Sequence, residues 1–129
     1  MNEPDRNINK KPRVTVVIPT YNAADYIGDA IQSALEQSFE DFELLVLDNV
    51  STDNTAEIVA RFDDPRLHYR TNDQNIGFLG NANQGLSLAR GEYLTYLGAD
   101  DLWEKDFLRH AVALMDNNQE LSFVHGSAI

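Results

Sequence analysis

The stretch Tyr93-Leu94-Thr95-Tyr96-Leu97-Gly98-Ala99-Asp100-Asp101 decides the fold, because an apolar run stops abruptly at two adjacent carboxylates. A short apolar run of this kind predicts a buried β-strand. The carboxyl end of a buried parallel strand is where open α/β sheets bind their ligands. Two neighbouring carboxylates repel each other there, and a divalent cation that also binds phosphate oxygens would compensate them. The stretch therefore predicts a ligand site at the end of a strand in a parallel sheet.

Composition narrows the class of protein. The chain has 129 residues, which fits one domain, and its 43% hydrophobic and 24% charged residues are ordinary for a globular protein. Its 10 basic residues against 21 acidic ones argue against nucleic acid as a partner, which would require clustered lysine and arginine. The sequence has no cysteine, which excludes disulfides and thiolate metal sites. Without an apolar signal peptide as well, a cytoplasmic location is expected.

Short apolar runs alternate with helical patterns along the chain, which is typical of βαβ units and a mostly parallel sheet. We therefore predict an α/β fold, a three-layer α/β/α sandwich. Strands are predicted at 14–18, 43–47, 67–70, 93–97 and 122–125, and helices at about 24–36, 54–64, 81–89 and 104–117. Asn54 and Glu57 have the spacing of a capping box at the start of the second helix. The segment 71–80, rich in asparagine and glycine, is predicted to be the longest loop.

The two ends of the sequence differ from the middle. Residues 1–12 are polar and predict a disordered leader, so the domain is expected to span residues 13–129. The last predicted strand is followed by four residues, and no further element is predicted after it. This ending predicts the N-terminal part of a longer, truncated protein.

Three segments are expected to converge at one edge of the sheet, because parallel strands end at the same edge. They are 19–22 after the first strand, 48–51 after the second and 98–101 after the fourth. Each contains groups suited to a nucleotide, and their shared position makes the combination more specific than any one of them.

Five residues of these segments suit the parts of a nucleotide. Tyr21 can stack on or flank a base, and Thr20 and Asn22 offer hydroxyl and amide contacts. Asp48 can accept a hydrogen bond from a base N–H. Asp100 can bind a hard divalent cation, which in turn holds diphosphate oxygens.

Plainer structural roles compete with these assignments. Asp101 and Glu104 also have capping-box spacing, so a role for Asp101 at the start of a helix is as well supported as metal binding. Tyr21 has the alternative role of covering the sheet edge. The residues at 51–53 are predicted to be helix caps. Gly77, Gly80 and Gly85 are predicted to serve turns and close packing, since no phosphate-loop pattern surrounds them.

Four motifs in order resemble the family 2 glycosyltransferases of the GT-A fold, and the similarity covers about residues 13–129. The similar segments are 14–22 (VTVVIPTYN), 45–55 (LVLDNVSTDNT), 75–77 with 81–86 and 89–93 (NIG, NANQGL and ARGEY), and 97–103 (LGADDLW). The second segment is similar to the family signature Asp-Asp-Gly-Ser-Thr-Asp, and the last to Leu-Asp-x-Asp-Asp.

The resemblance implies inverting transfer of a sugar from a nucleotide-diphosphate sugar, most often a UDP-sugar, with Mg²⁺ or Mn²⁺. The acceptor would be the hydroxyl of a glycan, a lipid-linked glycan or a protein, in polysaccharide or cell-wall biosynthesis. The residues that it assigns to the nucleotide sugar are Thr20, Tyr21, Asn22, Asp48, Asn49, Asn83 and Asp100. It assigns the metal to Asp100, with Asp101 in support. A missing C-terminal region could attach the protein peripherally to the inner face of the membrane.

The sequence departs from the family pattern at several positions. Asn49 stands where the second aspartate is usual, Val50 where glycine is usual, and Gly98 where the first aspartate of Asp-x-Asp is usual. Many members have an arginine where this chain has Ala82. The catalytic base of the family lies after the donor-binding half, so we expect it beyond residue 129 and expect the chain alone to be inactive. The alternative is a nucleotide-binding or regulatory GT-A-like module without transfer activity.

Overall fold

Residues 10–118 and 120 are described by a computed structural model, in which four strands form one parallel sheet. The strands are β1 (Val14–Thr20), β2 (Phe42–Asp48), β3 (Leu67–Thr71) and β4 (Tyr93–Tyr96), in the order β3-β2-β1-β4. The helices are α1 (Ile27–Leu35), α2 (Thr55–Val59), α3 (Gly77–Leu88) and α4 (Phe107–Asn117). Each predicted strand and helix within the described residues is present. The predicted strand at 122–125 and most of the predicted leader lie outside them.

The sheet buries both faces, because successive side chains of a strand point in opposite directions. One face packs against α1, α2 and α4 and supplies the larger core, which includes Val14, Val16, Ile18, Leu44 and Val46. The opposite face supplies Val17, Leu45 and Leu47, which pack with Leu88 of α3. Helices therefore cover both faces, and the predicted three-layer α/β/α architecture is confirmed. Within the described part of the chain, none of the helices is long and apolar enough to cross a membrane.

Strand β1 continues through Pro19, although we expected the strand to end before it. Pro19 pairs in register with Leu47 of β2. The carbonyl of Val17 accepts a hydrogen bond from the backbone N–H of Leu97. The backbone N–H and C=O groups of the odd-numbered residues of β1 therefore point toward β4. The pairing of β4 with β1 ends at Val17. The nitrogen of Pro19 therefore faces a side without a ladder partner, and the missing N–H breaks no sheet bond.

Several predicted boundaries are wrong because distant residues supply the contacts at the helix ends. Helix α3 begins at Gly77, four residues before the predicted start, which shortens the predicted loop 71–80. Asn54 precedes α2 without a side-chain cap bond, so the predicted capping box is absent.

Strand β4 lies at the end of the described sheet and is only partly buried, with Tyr96 43% exposed.

Helix α3 lies unusually close to the sheet at Gly85. A Cβ atom added there would come within 2.8 Å of Cγ1 of Val17, in the middle of β1. Gly80 lies in the same helix, but its added Cβ would meet only the side chain of Ile76, at 3.3 Å. Ile76 is 42% exposed and has room to move. The predicted packing role of Gly85 is therefore confirmed.

We expect Gly85→Ala to destabilise the fold by roughly 1–3 kcal/mol, because overpacking forces the helix away from the sheet. Gly80→Ala is the matched control and should be neutral or slightly stabilising, since alanine favours a helix over glycine by roughly 0.5–1 kcal/mol. Urea unfolding of both variants measures the difference. Equal stability of the two variants would contradict the close approach.

Candidate functional site

A cavity of about 280 Å³ opens at the carboxyl ends of β1 and β2, beside the start of α3. Its lining residues are Pro19, Thr20, Tyr21, Asn49, Asn75, Phe78 and Asn81. Tyr21 and Phe78 are 52% and 73% exposed, so two aromatic rings are available to a ligand. Flat rings beside polar amides form the kind of surface that binds a nucleoside base. The structure thus places Thr20, Tyr21 and Asn49 together, as the sequence predicted.

The turns after β1 and β2 are fastened to each other by Asn22. Its Oδ1 accepts from the backbone N–H groups of Thr52, at 2.7 Å, and of Asp53, at 3.3 Å. Its own backbone N–H donates to Oγ of Ser51 at 2.8 Å. Ser51 therefore holds the neighbouring turn and is not the helix cap that we predicted. The amide oxygen of Asn22 is used within the protein, and a contact of its amide nitrogen with the nucleoside stays a prediction.

Asp53 connects the same turn to helix α2. Oδ1 accepts from the backbone N–H of Thr55 at 3.0 Å and from the hydroxyl of Thr55, and Oδ2 accepts from the N–H of Ala24 at 3.1 Å. The hydroxyl of Thr55 is the main reason that the pKa of Asp53 lies below its usual range. Asp53 therefore supplies the helix-start contact that we predicted for residues 51–53.

Asp48 is 2% exposed, and both of its oxygens have partners. Oδ1 accepts from the N–H of Ser51 at 2.8 Å, and Oδ2 accepts from the hydroxyl of Tyr69 on β3. Burial, followed by the bond to Asp48, raises the pKa of Tyr69 to about 12. Asp48 thus shapes the turn after β2, and its predicted contact with a base stays a prediction.

Val50 has a φ of 66°, in the left-handed region that a β-branched residue rarely adopts. The turn around it is fixed by the Asn49 N–H, which donates to Thr20 O at 2.8 Å, and by the bond of Ser51 to Asp48. These bonds hold the backbone in a conformation that suits glycine, the residue usual in the resembling signature. The strain is therefore local to the turn after β2, directly after the lining residue Asn49.

Asp100 and Asp101 lie in the turn after β4, and both are exposed. The N–H of Asp101 donates to Gly98 O at 3.0 Å. Helix α4 begins only at Phe107, after Asp106, so the predicted capping role of Asp101 is wrong.

The carboxylates of Asp100 and Asp101 both lie next to Gly98. A Cβ atom at residue 98 would collide with Oδ2 of Asp101 and would lie 3.3 Å from Oδ1 of Asp100. Two exposed carboxylates fit a hard divalent cation. The described residues contain no group of three or more metal-binding side chains, so a cation here would take further ligands from substrate or water.

The structure does not bring every predicted residue to the cavity. The lining residues do not include Asn22, Asp48, Asn83, Asp100 or Asp101. Asn83 is exposed on α3, whereas its neighbour Asn81 is 2% exposed and turned toward the cavity. Asn75, Phe78 and Asn81 line the cavity although no binding role was predicted for them. The available signal for Asn75 and Asn81 was the resemblance at 75–77 and 81–86, which assigned no contact to either residue, and Phe78 lies outside those segments.

The comparison with known families agrees with this geometry. The sequence model described as Glycosyl transferase family 2 matches residues 15–127. The chain belongs to this family. Its matched region contains every residue that the resemblance assigned to the nucleotide sugar or the metal.

Among curated relatives, the chain is 38% identical over 109 residues to the putative teichuronic acid biosynthesis glycosyltransferase TuaG of Bacillus subtilis. That match covers 83% of the chain and 43% of TuaG. The chain is 36% identical over 114 residues to the Escherichia coli UDP-Glc:alpha-D-GlcNAc-diphosphoundecaprenol beta-1,3-glucosyltransferase WfgD, covering 88% of the chain and 45% of WfgD. It therefore spans less than half the length of these relatives.

Solved structures of glycosyltransferases have the same fold. Staphylococcus aureus TarS 1–349 in complex with UDP-GlcNAc matches with a TM-score of 0.77 and 29% identity, over 91% of the chain and 36% of TarS 1–349. The mannosyltransferase PcManGT of Pyrobaculum calidifontis, in complex with GDP-Man and Mn²⁺, matches with a TM-score of 0.75 and 34% identity. That match covers 82% of the chain and 33% of PcManGT. The GT-A fold of the chain is thereby confirmed.

The strain at Val50 predicts that a glycine variant is more stable than an alanine variant at this position, which reverses the usual order of stability. Both Val50→Gly and Val50→Ala remove side-chain atoms, but only glycine relieves the positive φ. We expect Val50→Gly to be more stable than Val50→Ala by about 1 kcal/mol in urea unfolding. At an ordinary backbone position glycine would be the less stable of the two, and that outcome would contradict the strain.

Tyr69→Phe should destabilise the fold by roughly 1–2 kcal/mol, because Oδ2 of buried Asp48 loses its partner. The folded protein keeps the Tyr69 proton up to about pH 12, whereas the unfolded chain loses it near pH 10. Wild-type stability should therefore fall as the pH rises from 10 to 12, and Tyr69→Phe should lack this loss. Tyr26→Phe, at a tyrosine that is 58% exposed, is the control and should behave like wild type. A Tyr69→Phe protein with wild-type stability and pH profile would refute the contact.

Proposed function

We propose that the chain is the donor-binding half of an inverting, metal-dependent glycosyltransferase that takes its sugar from a nucleoside-diphosphate sugar. The single observation that carries the proposal is the cavity at the ends of β1 and β2, with exposed Tyr21 on its wall and two exposed carboxylates on the same edge of the sheet. Membership of the family and the donor complexes of TarS and PcManGT support it.

The chain would bind the donor at two places on the edge of the sheet. Tyr21 would flank the base, and the turns that Asn22 and Asp48 hold would bind the ribose at the ends of the strands. Asp100, with Asp101, would hold Mg²⁺ or Mn²⁺ and so keep the diphosphate at the end of β4. When bound, the cation supplies the charge that stabilises the diphosphate as a leaving group. The formal net charge of −11 disfavours binding of a diphosphate anion, and this supports a role for such a cation.

General-base catalysis needs a carboxylate within hydrogen-bond reach of the acceptor hydroxyl. The family resemblance assigns this base to the half that follows the donor site. We therefore propose that these 129 residues bind the donor but transfer sugar poorly or not at all. For the whole protein we propose an acceptor glycan, lipid-linked glycan or protein in polysaccharide or cell-wall assembly, at the cytoplasmic side of the membrane and peripheral to it. The similarity to TuaG, a putative teichuronic acid biosynthesis glycosyltransferase, and to the glucosyltransferase WfgD supports a role in polysaccharide assembly.

A second candidate function is a nucleotide-binding module without transfer activity. Gly98 favours it, because the carboxylate that is usual at this position is missing and Asp101 fills the space above the glycine. The two candidates differ in whether nucleotide binding depends on the cation.

Calorimetric titration of the chain with UDP, with and without Mn²⁺, distinguishes the two candidate functions. We expect Mn²⁺ to tighten UDP binding at least tenfold, because Asp100 and Asp101 would hold the cation and its charge would favour the diphosphate. Asp100→Asn should remove this gain and leave metal-free binding unchanged. Asp63→Asn, which removes an exposed carboxylate before β3, is the matched control and should keep the gain. Binding that ignores Mn²⁺ would favour the module, and absence of nucleotide binding would overturn both candidates.

A further inference from the structure

We propose that the C-terminal end of helix α1 and the turn after it position the carboxylates of the cation site, and that Ser33 and Gln37 are the positioning residues. Both side chains bind the segment 103–108, which follows Asp100 and Asp101 along the chain. The inference rests on the proposed function, since it concerns the cation that these two carboxylates would hold.

Asp100 and Asp101 lie in a segment that belongs to no strand or helix. Strand β4 ends at Tyr96 and helix α4 begins at Phe107, so residues 97–106 connect them. The bond from the N–H of Asp101 to the carbonyl of residue 98 lies inside this segment and does not attach it to the rest of the fold. Two like charges repel each other, and a cation needs its ligands at well-defined positions. The carboxylates therefore depend on contacts that fix the segment from outside.

Such contacts are present on both sides of the carboxylates. Before them, the N–H of Leu97 donates to Val17 O on β1 at 2.9 Å. After them, the N–H of Trp103 donates to Oγ of Ser33 on α1 at 3.1 Å. Residues 98–102 thus form a short loop between two fixed points, and few conformations are open to a loop of this kind.

The hydroxyl of Ser33 joins helix α1 to the segment after the carboxylates. It donates to Ala30 O at 2.9 Å, within α1, and accepts from the N–H of Trp103. Trp103 follows Asp101 by two residues, so this bond acts close to the carboxylates. The ring of Trp103 also stacks on Phe107, with ring centroids 4.9 Å apart. Ring packing is therefore the competing way to hold the same segment, and the two can be separated by experiment.

Gln37 holds the segment at two further points and is 3% exposed. Its Nε2 donates to Glu104 O at 2.6 Å and to Ser33 O at 3.3 Å, and its Oε1 accepts from the N–H of Leu108 at 2.9 Å. A backbone carbonyl only accepts and a backbone N–H only donates, so the two ends of the amide cannot be exchanged. Asp106, before α4, forms no side-chain cap bond. Gln37 thus supplies a partner that the start of α4 needs.

The cavity at the ends of β1 and β2 has separate supports. None of its lining residues belongs to α1 or to the segment 97–108. Helix α1 packs on one face of the sheet, whereas α3, whose first turns contribute to the cavity, packs on the other. The end of α1 should therefore affect binding of the cation and leave metal-free binding of the nucleotide unchanged. A residue that only stabilised the fold would not separate the two.

Ser33→Ala is the sharpest test, because it removes the hydroxyl and leaves the ring of Trp103 in place. Electron paramagnetic resonance measures Mn²⁺ affinity in the presence of UDP, since free and bound Mn²⁺ have different spectra. We expect the affinity for Mn²⁺ to fall about tenfold. Calorimetry should show metal-free UDP binding like that of wild type. Ser33→Thr keeps a hydroxyl that can bond to the same helix carbonyl and should retain wild-type affinity for Mn²⁺.

Ser87→Ala is the matched control, because it removes the hydroxyl of an exposed serine of α3 and should bind Mn²⁺ like wild type. Gln37→Met keeps the length of the side chain and removes its hydrogen bonds, and it should weaken Mn²⁺ binding in the same way as Ser33→Ala. Circular dichroism checks that each variant is folded. If Gln37→Met does not fold, Gln37→Glu replaces it, since it keeps the acceptor for the N–H of Leu108 and loses the donor for Glu104 O.

The outcomes separate this inference from the proposed function. A folded Ser33→Ala variant with wild-type affinity for Mn²⁺ overturns the role of Ser33 and leaves the packing of Trp103 as the support of the segment. The same result for a folded Gln37 variant overturns the role of Gln37. Equal loss of Mn²⁺ binding and metal-free UDP binding would make both residues structural only, and would also overturn the proposal. Wild type whose UDP binding ignores Mn²⁺ overturns the cation site itself.

Discussion

The pairing of β1 with β2 is the constraint on which the rest of the structure depends. Seven consecutive residue pairs run from Val14 and Phe42 to Thr20 and Asp48, and the N–H of Asn49 extends the ladder by bonding to Thr20 O. Both strands therefore end at the same level. The turns that follow them lie close enough for Asn22, after β1, to form hydrogen bonds with the turn after β2. The cavity opens at this level, with Thr20 on one side and Asn49 on the other. A slip of one residue would turn every core side chain of the moved strand to the other face.

Sequence patterns predicted what depends on local periodicity and could not predict what depends on distant partners. The strands and the three layers could be predicted from apolar runs and helical spacing, and Thr20 and Tyr21 from their place where β1 ends. The early start of α3 could not be predicted, because its first turn is bonded by Asn49, 27 residues earlier in the chain. For the same reason the position of Asn75 on the cavity wall could not be predicted, because the composition of its segment indicated only a loop.

Three of the four departures from the family pattern, at residues 49, 50 and 98, have different physical consequences. Asn49 supplies two donors to the segment 75–77, so the change from aspartate is matched by its surroundings. Gly98 leaves a space that the carboxylate of Asp101 occupies, so an acid at position 98 would displace that carboxylate. Val50 has no such compensation, and its positive φ remains a local cost. Altered residues around one site therefore do not by themselves indicate that the site has decayed.

The close seating of Gly85 on Val17 also bears on the entropy of ligand binding. Because Gly85 adds no side chain of its own, α3 rests directly on the side chain of Val17 and cannot rock on the sheet without losing the contact. Asn81 and Gly77 lie on the same helix, so this contact also restricts their movement before any ligand binds. Fewer groups have to be ordered when a nucleotide enters, and preorganisation of this kind raises affinity without adding a contact. The smallest residue of the helix is thus one source of the rigidity of the cavity.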